Sequence, residues 1–380
     1  MSFAARLTSV TLIVLAACSE VPAPVATTVR DTAPSAIAST PAPSASASSV
    51  ANGPAFDAKR VTFTDKAMGT HVLIQTYTTP DLDEDKVKTL VWKSFQEIQR
   101  LEALMTTWQK DSEISRVNAA AGKSAVHVGP DSLAVIDKSL WISRLSEGTF
   151  DISFEAMHGL WKFDQDLVAK VPAQADIDRA RKLIDYRKIT VDDAASTVKL
   201  EGPEMRISLG GIAKGYAVDK ACAVLEKGGL HSYVVQAGGD LFVRGTKPDG
   251  TAVHVGVRDP RGKDENDAFG TLDVQDHAFS TAGDYERGFV LEGKRYHHII
   301  DPRTGYPATA SRSVTIWADD AFTADAIDDA VFILGPEKGL ALVESLDGVG
   351  AVIVDKNNKV WVSKRLEGHF KQWREPTDAP

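Results

Sequence analysis

The sequence contains few cysteines, no excess of basic residues and no long apolar run beyond its N-terminal residues. Only two cysteines occur among 380 residues, so at most one intramolecular disulfide could form. The formal net charge is −9, which argues against a general nucleic-acid binder. No segment after the N-terminus is long and apolar enough to cross a bilayer. The length allows one large domain or two modest domains with a real core.

The N-terminus resembles a bacterial lipoprotein signal. An apolar run from Leu7 to Leu15 follows Arg6, and it is too short to span a membrane but suits a signal-peptide core. The sequence Leu-Ala-Ala-Cys at 15–18 is typical of a lipobox. This predicts a signal peptide over residues 1–17 and acyl chains on Cys18 that hold the protein at a membrane surface. A plain signal peptide with an incidental cysteine is the alternative.

Three further segments are predicted after the lipidated cysteine. Residues 18–54 carry Ala, Pro, Ser and Thr with almost no large side chains, which predicts a flexible linker that cannot bury enough apolar surface to fold. A catalytic domain is predicted over 55–365 and a C-terminal tail over 366–380. With Cys18 lipidated, Cys222 has no disulfide partner and is expected in the core.

The domain mixes helical and strand patterns without regular βαβ alternation, which predicts an α+β fold of mixed sheets with flanking helices. Periodicity indicates a helix over Ala321–Leu334 and a closing hairpin of Gly350–Val354 with Val360–Val362. Alternation over Met205–Leu209 predicts a half-buried strand.

Gly210 and Gly211 follow that predicted strand, and a helix with Lys214 in its first turn follows them. Glycines allow a ligand to approach the backbone, and a helix start offers unpaired N–H groups and a positive dipole end. The stretch could therefore bind a phosphate, or it could be an ordinary tight connection. An acidic protein that handles an anionic phosphate would also need a cation, which first indicates a divalent metal.

The densest set of reactive residue types lies at 296–305. His298 stands at a predicted strand end near Asp301, a pairing that could activate a hydroxyl. Arg303 could hold a phosphate oxygen through two hydrogen bonds. A structural histidine beside a plain Asp-Pro turn is the alternative.

Three aspartates share one face of the predicted helix at 321–334. Asp325, Asp328 and Asp329 stand at positions i, i+3 and i+4, and their charges repel unless a cation or solvent separates them. Flanking apolar residues make a solvated face less fitting. Oxygen ligands of this kind suit Mg²⁺ or Ca²⁺.

These residues occur in an order that resembles the FAD:protein FMN transferase family, also called ApbE. The resemblance covers Phe63 to about Val354. It is carried by several short motifs: Met68-Gly69-Thr70, Leu104–Trp108, Ser112–Asn118, Gly148–Ile152, Leu209–Gly215, Ala237–Asp240, His298–Gly305 and Asp325.

The resemblance implies an ApbE-like, T-fold-related catalytic body and a Mg²⁺-dependent reaction on FAD as substrate. FAD is cut at its diphosphate, FMN is joined through phosphate to a Thr or Ser hydroxyl of an acceptor flavoprotein, and AMP leaves. The family resemblance suggests redox-pump subunits or secreted reductases as acceptors. Because many members are lipoproteins, it also implies a membrane lipoprotein facing the periplasm.

The resemblance also implies roles for individual residues. Those expected to bind the flavin nucleotide are Met68, Trp108, Asp151, Ser208, Lys214, Ile300 and Arg303. Those expected to hold the metal are Gly211, Asp325, Asp328 and Asp329, and the base is expected to be His298 with Asp301. Ser208 stands where the family usually has Asp, and Asp329 stands where it usually has Thr.

Two other functions remain open from the sequence. Water could replace the acceptor hydroxyl at the same site, which would make the protein a FAD pyrophosphatase that yields FMN and AMP. Alternatively, the protein could be an FAD-binding lipoprotein without turnover.

Overall fold

The computed structural model describes residues 56–163 and 167–379. The predicted signal peptide, Cys18 and all of the predicted linker lie outside these residues. Within the described part of the chain, no helix combines the length and the apolar character that a membrane span requires.

The described chain contains the following helices and strands. The helices are α1 Glu84–Met105, α2 Glu113–Ala119, α3 Pro130–Leu145, α4 Gln174–Arg181, α5 Ala213–Lys227, α6 Ala321–Leu334 and α7 Pro336–Glu344. The strands are β1 Arg60–Ala67, β2 Thr70–Tyr77, β3 Val126–His127, β4 Ile189–Asp192, β5 Thr197–Leu200, β6 Tyr233–Ala237, β7 Asp240–Arg244, β8 Val253–Arg258, β9 Ala268–Val274, β10 His277–Gly283, β11 Gly288–Leu291, β12 Lys294–His297, β13 Ile300–Asp301, β14 Tyr306–Pro307, β15 Ser311–Ala318, β16 Gly350–Asp355, β17 Val360–Val362 and β18 Phe370–Gln372.

An antiparallel sheet of eight strands forms the centre of the folded part. Its strand order is β1-β2-β6-β7-β10-β15-β16-β17. Successive side chains of each strand point to opposite faces. On β15, Ile316 therefore joins the core that includes the helices, while Trp317 packs with the core on the other face.

Helices α1, α5 and α6 contribute to the larger core on one face of this sheet. Helix α5 packs against both α1 and α6, and α6 packs against β10 and β15. Because α6 is surrounded in this way, it is apolar on nearly every side, yet Asp325 and Asp328 are buried in it. Cys222 is buried in α5, as expected from the sequence. A buried helix with two buried carboxylates needs a specific chemical reason.

The opposite face of the sheet packs against the small sheet β18-β9-β8. Strand β18 lies within residues 366–380, which the sequence predicts as a tail. It pairs with β9 from Phe370↔Leu272 to Gln372↔Gly270. Residues 370–372 are therefore part of the fold, because their backbone adds an edge strand to this small sheet.

The predicted helix at Ala321–Leu334 and the closing hairpin of β16 and β17 are confirmed. The strand predicted at Met205–Leu209 is wrong, since these residues have no regular secondary structure. Their burial does alternate as predicted. Their backbone bonds to a side chain and to a 3-10 turn instead of to a strand: Ile207 N–H donates to Asn118 and Ser208 N–H to the Ile152 carbonyl.

Candidate active site

The start of α5 lies directly against α6. A Cβ atom on Gly215 would stand 2.2 Å from the Ala321 carbonyl oxygen and 2.7 Å from Asp325 Cβ. Only glycine allows so close an approach of two helices. The Gly215 N–H donates to Asp325 Oδ2 at 2.7 Å, so a free N–H of the first turn of α5 is satisfied by a carboxylate of α6. This contact places Lys214 beside the aspartates of α6.

Lys214 is surrounded by carboxylates. Its Nζ lies 2.7 Å from Asp240 Oδ2 and 3.1 Å from Asp325 Oδ1. The Ser280 hydroxyl lies 2.5 Å from Asp240 Oδ1 and 2.7 Å from Asp328 Oδ2. A hydroxyl has only one proton to donate, so it cannot satisfy both carboxylates. The Lys214 cluster, defined as Lys214, Asp240, Asp325, Asp328 and Asp329, thus gathers four carboxylates around one ammonium group.

The electrostatics of the Lys214 cluster show an excess of negative charge. Burial raises the pKa of Asp325 to about 7, with the charge of Asp240 as a further cause. Burial also raises the pKa of Asp329 to about 6, and burial with the neighbouring aspartates raises the pKa of Asp328 well above its ordinary value. Burial alone would lower the pKa of Lys214, but Asp240, Asp325 and Asp328 raise it.

These residues fit a hard divalent cation. One oxygen atom from each of Asp240, Asp325 and Asp328 lies within 4.8 Å of the others. Carboxylate and hydroxyl oxygens are the ligands that Mg²⁺ and Ca²⁺ prefer, and one lysine cannot balance four carboxylates. A second cation would remove the repulsion that raises the aspartate pKa values.

The predicted metal residues come together, and the structure adds one more. A Cβ atom on Gly211 would lie 3.5 Å from Asp329 Oδ2, so the glycine turn borders the cluster. Asp240 is the addition, since the sequence motif contains it but the sequence does not predict it as a ligand. It is the first residue of β7 and pairs with Ala237 across the Gly238-Gly239 turn. A carboxylate after two glycines was the signal that could have identified it.

Met68 lies on a turn beside the Gly238-Gly239 turn that precedes Asp240. It occupies the left-handed region with φ 52° between β1 and β2. The neighbouring His71 carbonyl accepts a hydrogen bond from Gly238 N–H at 2.9 Å, and a Cβ atom on Gly238 would stand 2.7 Å from Thr70 Oγ1. The Met68 turn and the turn that leads to Asp240 therefore lie side by side at one end of the strands of the large sheet.

The predicted pairing of His298 with Asp301 is not formed. Asp301 instead accepts hydrogen bonds from the Arg303 backbone N–H at 2.9 Å, from Nε at 2.9 Å and from Nη2 at 2.8 Å. Arg303 is two residues away within the same turn, and its guanidinium bonds both oxygens of the carboxylate. Within the described residues, no hydrogen bond joins the His298 ring to Asp301. The idea of Asp301 as partner of a histidine base is therefore wrong.

His298 is held by its backbone and has a free ring nitrogen. Its N–H donates to the Arg287 carbonyl at 3.1 Å, while its buried Nδ1 has no hydrogen-bond partner in the described chain. Burial lowers the pKa of His298 to about 3, and the charges of Arg287 and Lys214 add to this effect. The ring is thus neutral at neutral pH. Because the charge of Lys214 contributes to this pKa, His298 is coupled electrostatically to the Lys214 cluster.

The other predicted nucleotide-binding residues differ in their exposure and in their partners. Trp108 is 83% exposed and its ring lies edge-on to His158, 5.7 Å between centroids. Both Asp151 oxygens accept bonds within the chain, from Ser153 and from Tyr186 N–H at 2.9 Å. The Ser208 hydroxyl accepts from Gly210 N–H at 3.3 Å, and Ile300 is buried in a small separate core. Their contacts to a nucleotide stay predictions.

Comparison with known proteins gives consistent matches. Residues 68–353 match the model of the ApbE family. The chain is 34% identical over 283 residues to an FAD:protein FMN transferase of Treponema pallidum, covering 71% of this chain and 78% of that protein. It is 30% identical over 295 residues to the FAD:protein FMN transferase of Escherichia coli K12, covering 76% of this chain and 84% of that protein.

Solved structures give the same result. The flavin transferase ApbE from Vibrio cholerae matches with a TM-score of 0.74 at 27% identity, covering 82% of this chain and 99% of that chain. An ApbE protein from Thermotoga maritima matches with a TM-score of 0.72 at 30% identity, with the same coverage. The α+β fold predicted from the sequence is confirmed.

Proposed function

Because this chain belongs to the ApbE family and is a transferase, we propose that it is a Mg²⁺-dependent FAD:protein FMN transferase. FAD is cut at its diphosphate, FMN is attached through a phosphoester to a Thr or Ser hydroxyl of an acceptor flavoprotein, and AMP leaves. The observation that carries this proposal is the Lys214 cluster, in which three buried carboxylates and the half-buried Asp329 face one ammonium group.

Asp240, Asp325 and Asp328, with Asp329 beside Gly211, are the residues that would hold Mg²⁺. When bound, the ion would withdraw charge from diphosphate oxygens and so favour cleavage. Lys214 supplies a fixed positive charge next to these carboxylates, which favours an anionic substrate at the same place. The buried position of the cluster strengthens each of these interactions, because little water screens them.

His298 is the residue proposed to accept the proton of the acceptor hydroxyl. Its Nδ1 is free to accept, and its neutral ring is the form that a base requires. The low pKa makes it a weak base in the ligand-free protein. Because the charges of Lys214 and Arg287 contribute to that low value, an anionic diphosphate beside them would raise the pKa of His298. Asp301 holds the guanidinium of Arg303 and does not relay this proton.

We also propose that the protein acts at a membrane surface on periplasm-facing acceptors. The support is the sequence Leu-Ala-Ala-Cys ending at Cys18, which predicts lipidation, and the Ala/Pro/Ser-rich segment that follows it. A flexible tether of this composition would let an anchored enzyme reach acceptors on neighbouring proteins.

The test is to incubate the protein with FAD, Mg²⁺ and a candidate acceptor and to weigh the acceptor by mass spectrometry. A mass gain equal to one FMN, lost when the acceptor Thr or Ser is replaced by Ala, is expected. Free FMN with an unmodified acceptor would instead show hydrolysis. Intact FAD would show binding without turnover, and either result would contradict the transferase proposal. Omitting Mg²⁺ is the matched control for the metal.

A further inference from the structure

A cavity of about 530 Å³ lies away from the Lys214 cluster. It is lined by Trp317, Glu344, Leu346, Val349, Lys364, Arg365 and His369. Trp317 belongs to the face of the sheet opposite to the one that α6 covers. The volume falls within the range of about 300–1,000 Å³ that is usual for small-molecule sites.

The wall of the cavity that carries Lys364 and Arg365 is rigidly anchored. Ser363, just before them, exchanges two hydrogen bonds of 2.9 Å with the backbone of Ala351. Leu366, just after them, is buried, and a Cβ atom on Gly350 would stand 2.6 Å from its Cγ. The two cations are therefore presented by a turn that is fixed before any ligand arrives, which reduces the entropy cost of binding.

The opposite walls are braced as well. The Glu344 carboxylate accepts the Lys364 backbone N–H at 2.7 Å, which joins the end of α7 to the cationic turn. Trp317 stacks on His277 with 3.8 Å between ring centroids and 20° between planes. Gly348, with φ 72°, abuts Asp319, since a Cβ atom there would lie 2.5 Å from Asp319 Oδ2. The cavity is thus preformed on three sides.

Its charge is opposite to that of the whole protein. Lys364 and Arg365 are exposed, and across residues 56–163 and 167–379 neither side chain forms an ion pair. The net charge of the chain is −9, whereas this cavity has two unpaired cations beside an imidazole. Unpaired cations of this kind favour an anion with several oxygen acceptors, such as a phosphate group.

We propose that this cavity is a second binding site, specific for a nucleoside monophosphate. Lys364, Arg365 and His369 bind the phosphate, and Trp317 with Leu346 and Val349 contacts the planar base. The free oxygen of Glu344 accepts hydrogen bonds from the sugar hydroxyls. Each part of the ligand thereby meets a chemically matched part of the cavity, and the site does not depend on the function proposed above.

Hydrogen–deuterium exchange of the full protein with AMP tests this site directly. AMP is expected to slow exchange in the segments 344–349 and 363–369, separately from any effect at 208–215 or 321–329. Ribose 5-phosphate and adenosine, which each lack one part, are expected to bind at least about tenfold more weakly. Protection confined to the Lys214 cluster, or equal binding of ribose 5-phosphate, would overturn the proposal.

A double variant and a charge-matched control complete the test. Lys364→Gln with Arg365→Gln is expected to weaken AMP binding at 344–349 and 363–369 by at least about tenfold, because two charged donors are lost. Lys93→Gln with Lys227→Gln removes the same charge at exposed positions outside the cavity and is expected to leave binding unchanged. If both double variants weakened AMP binding equally, the loss would come from net charge alone, and the proposal would be overturned. FAD cleavage by both double variants is expected to equal that of the unaltered protein.

Discussion

Two largely buried acidic clusters in this protein differ in how completely their own cations neutralise them. The Lys214 cluster has four carboxylates for one ammonium group. The second, here called the Asp259 cluster, consists of Asp259, Asp267, Asp284, Arg261 and Arg374. Arg261 binds Asp284 through two hydrogen bonds of 2.6 and 2.8 Å, and Arg374 binds Asp259 and Asp267, each at 2.5 Å.

The pKa values of the aspartates in the two clusters reflect how well their charges are paired. Burial would raise the pKa of Asp259, but donors from Arg261, Thr377 and Arg374 lower it below its ordinary value. In the Lys214 cluster, burial and repulsion raise the pKa of Asp325 to about 7 and that of Asp329 to about 6. The arginine-paired cluster therefore stabilises the fold, whereas the Lys214 cluster is complete only with an added cation.

The largest expected effect comes from removing a ligand of the Lys214 cluster. Asp325→Ala is expected to lower Mg²⁺-dependent FAD cleavage by more than about 100-fold. Removing a direct metal ligand should lower activity more than removing a residue that only hydrogen-bonds to a ligand. The measurement is release of AMP at saturating FAD. Asp273→Ala, at a half-buried carboxylate on β9 outside the Lys214 cluster, is the matched control. Unchanged cleavage in a folded Asp325→Ala protein would show that the metal assignment is wrong.

Magnesium itself should stabilise the Lys214 cluster. At a concentration of about one hundred times its dissociation constant, Mg²⁺ is expected to raise the free energy of unfolding by about 2.7 kcal/mol. Denaturant unfolding with and without Mg²⁺ measures this increase. The variant Asp325→Asn with Asp328→Asn should show little of it. An equal increase in wild type and variant would place the ion elsewhere.

The Asp259 cluster should respond to loss of a cation by losing stability. Arg374→Ala is expected to lower the free energy of unfolding by about 2 kcal/mol, since it leaves the buried Asp259 without its ion pair, although Arg374 is partly exposed. Urea denaturation provides the measurement. Lys371→Ala, which breaks an exposed pair with Asp273, should change little. A similar loss in both would contradict the distinction between the clusters.

The smallest expected effect is a pH dependence of opposite sign in the two clusters. Without metal, the native Lys214 cluster holds protons that the unfolded chain has released above the ordinary aspartate pKa of 3.8. Stability should therefore fall by on the order of 1 kcal/mol as pH rises from about 5 to 7. For Asp259, with its lowered pKa, stability is lost only as pH falls below about 4. Unfolding free energies across pH, with and without Mg²⁺, measure both; a Mg²⁺-independent slope above pH 5 would contradict this origin.

The sequence predicted local features well. The bounds of α6 follow from an apolar run that starts after Asp320, whose side chain accepts the Thr323 N–H, and ends before Gly335 with φ 77°. The spacing of Asp325, Asp328 and Asp329 placed three carboxylates on one face of the helix, because residues three and four apart are neighbours on a helix surface. The family resemblance, carried by motifs from Met68 to Asp325, is confirmed over residues 68–353.

Contacts between distant segments required the tertiary structure. Asp240 joins Asp325 only because β7 and β10 lie side by side beneath α6, which no local pattern encodes. The alternation at Met205–Leu209 predicted the burial but not the bonding partners, which come from Asn118 and Ile152. His298 and Asp301 stand close in sequence, yet Arg303 takes the carboxylate because the turn brings it nearer.

What the sequence alone determined was therefore the family, the helix with its three aspartates and the glycine turn before Lys214. The tertiary structure decided which charges are neutralised. Short-range periodicity fixes where a side chain lies on its own helix or strand. The pKa of a buried group depends on charges that the fold brings within a few ångströms from other parts of the chain, as Asp240 and Lys214 do for Asp325.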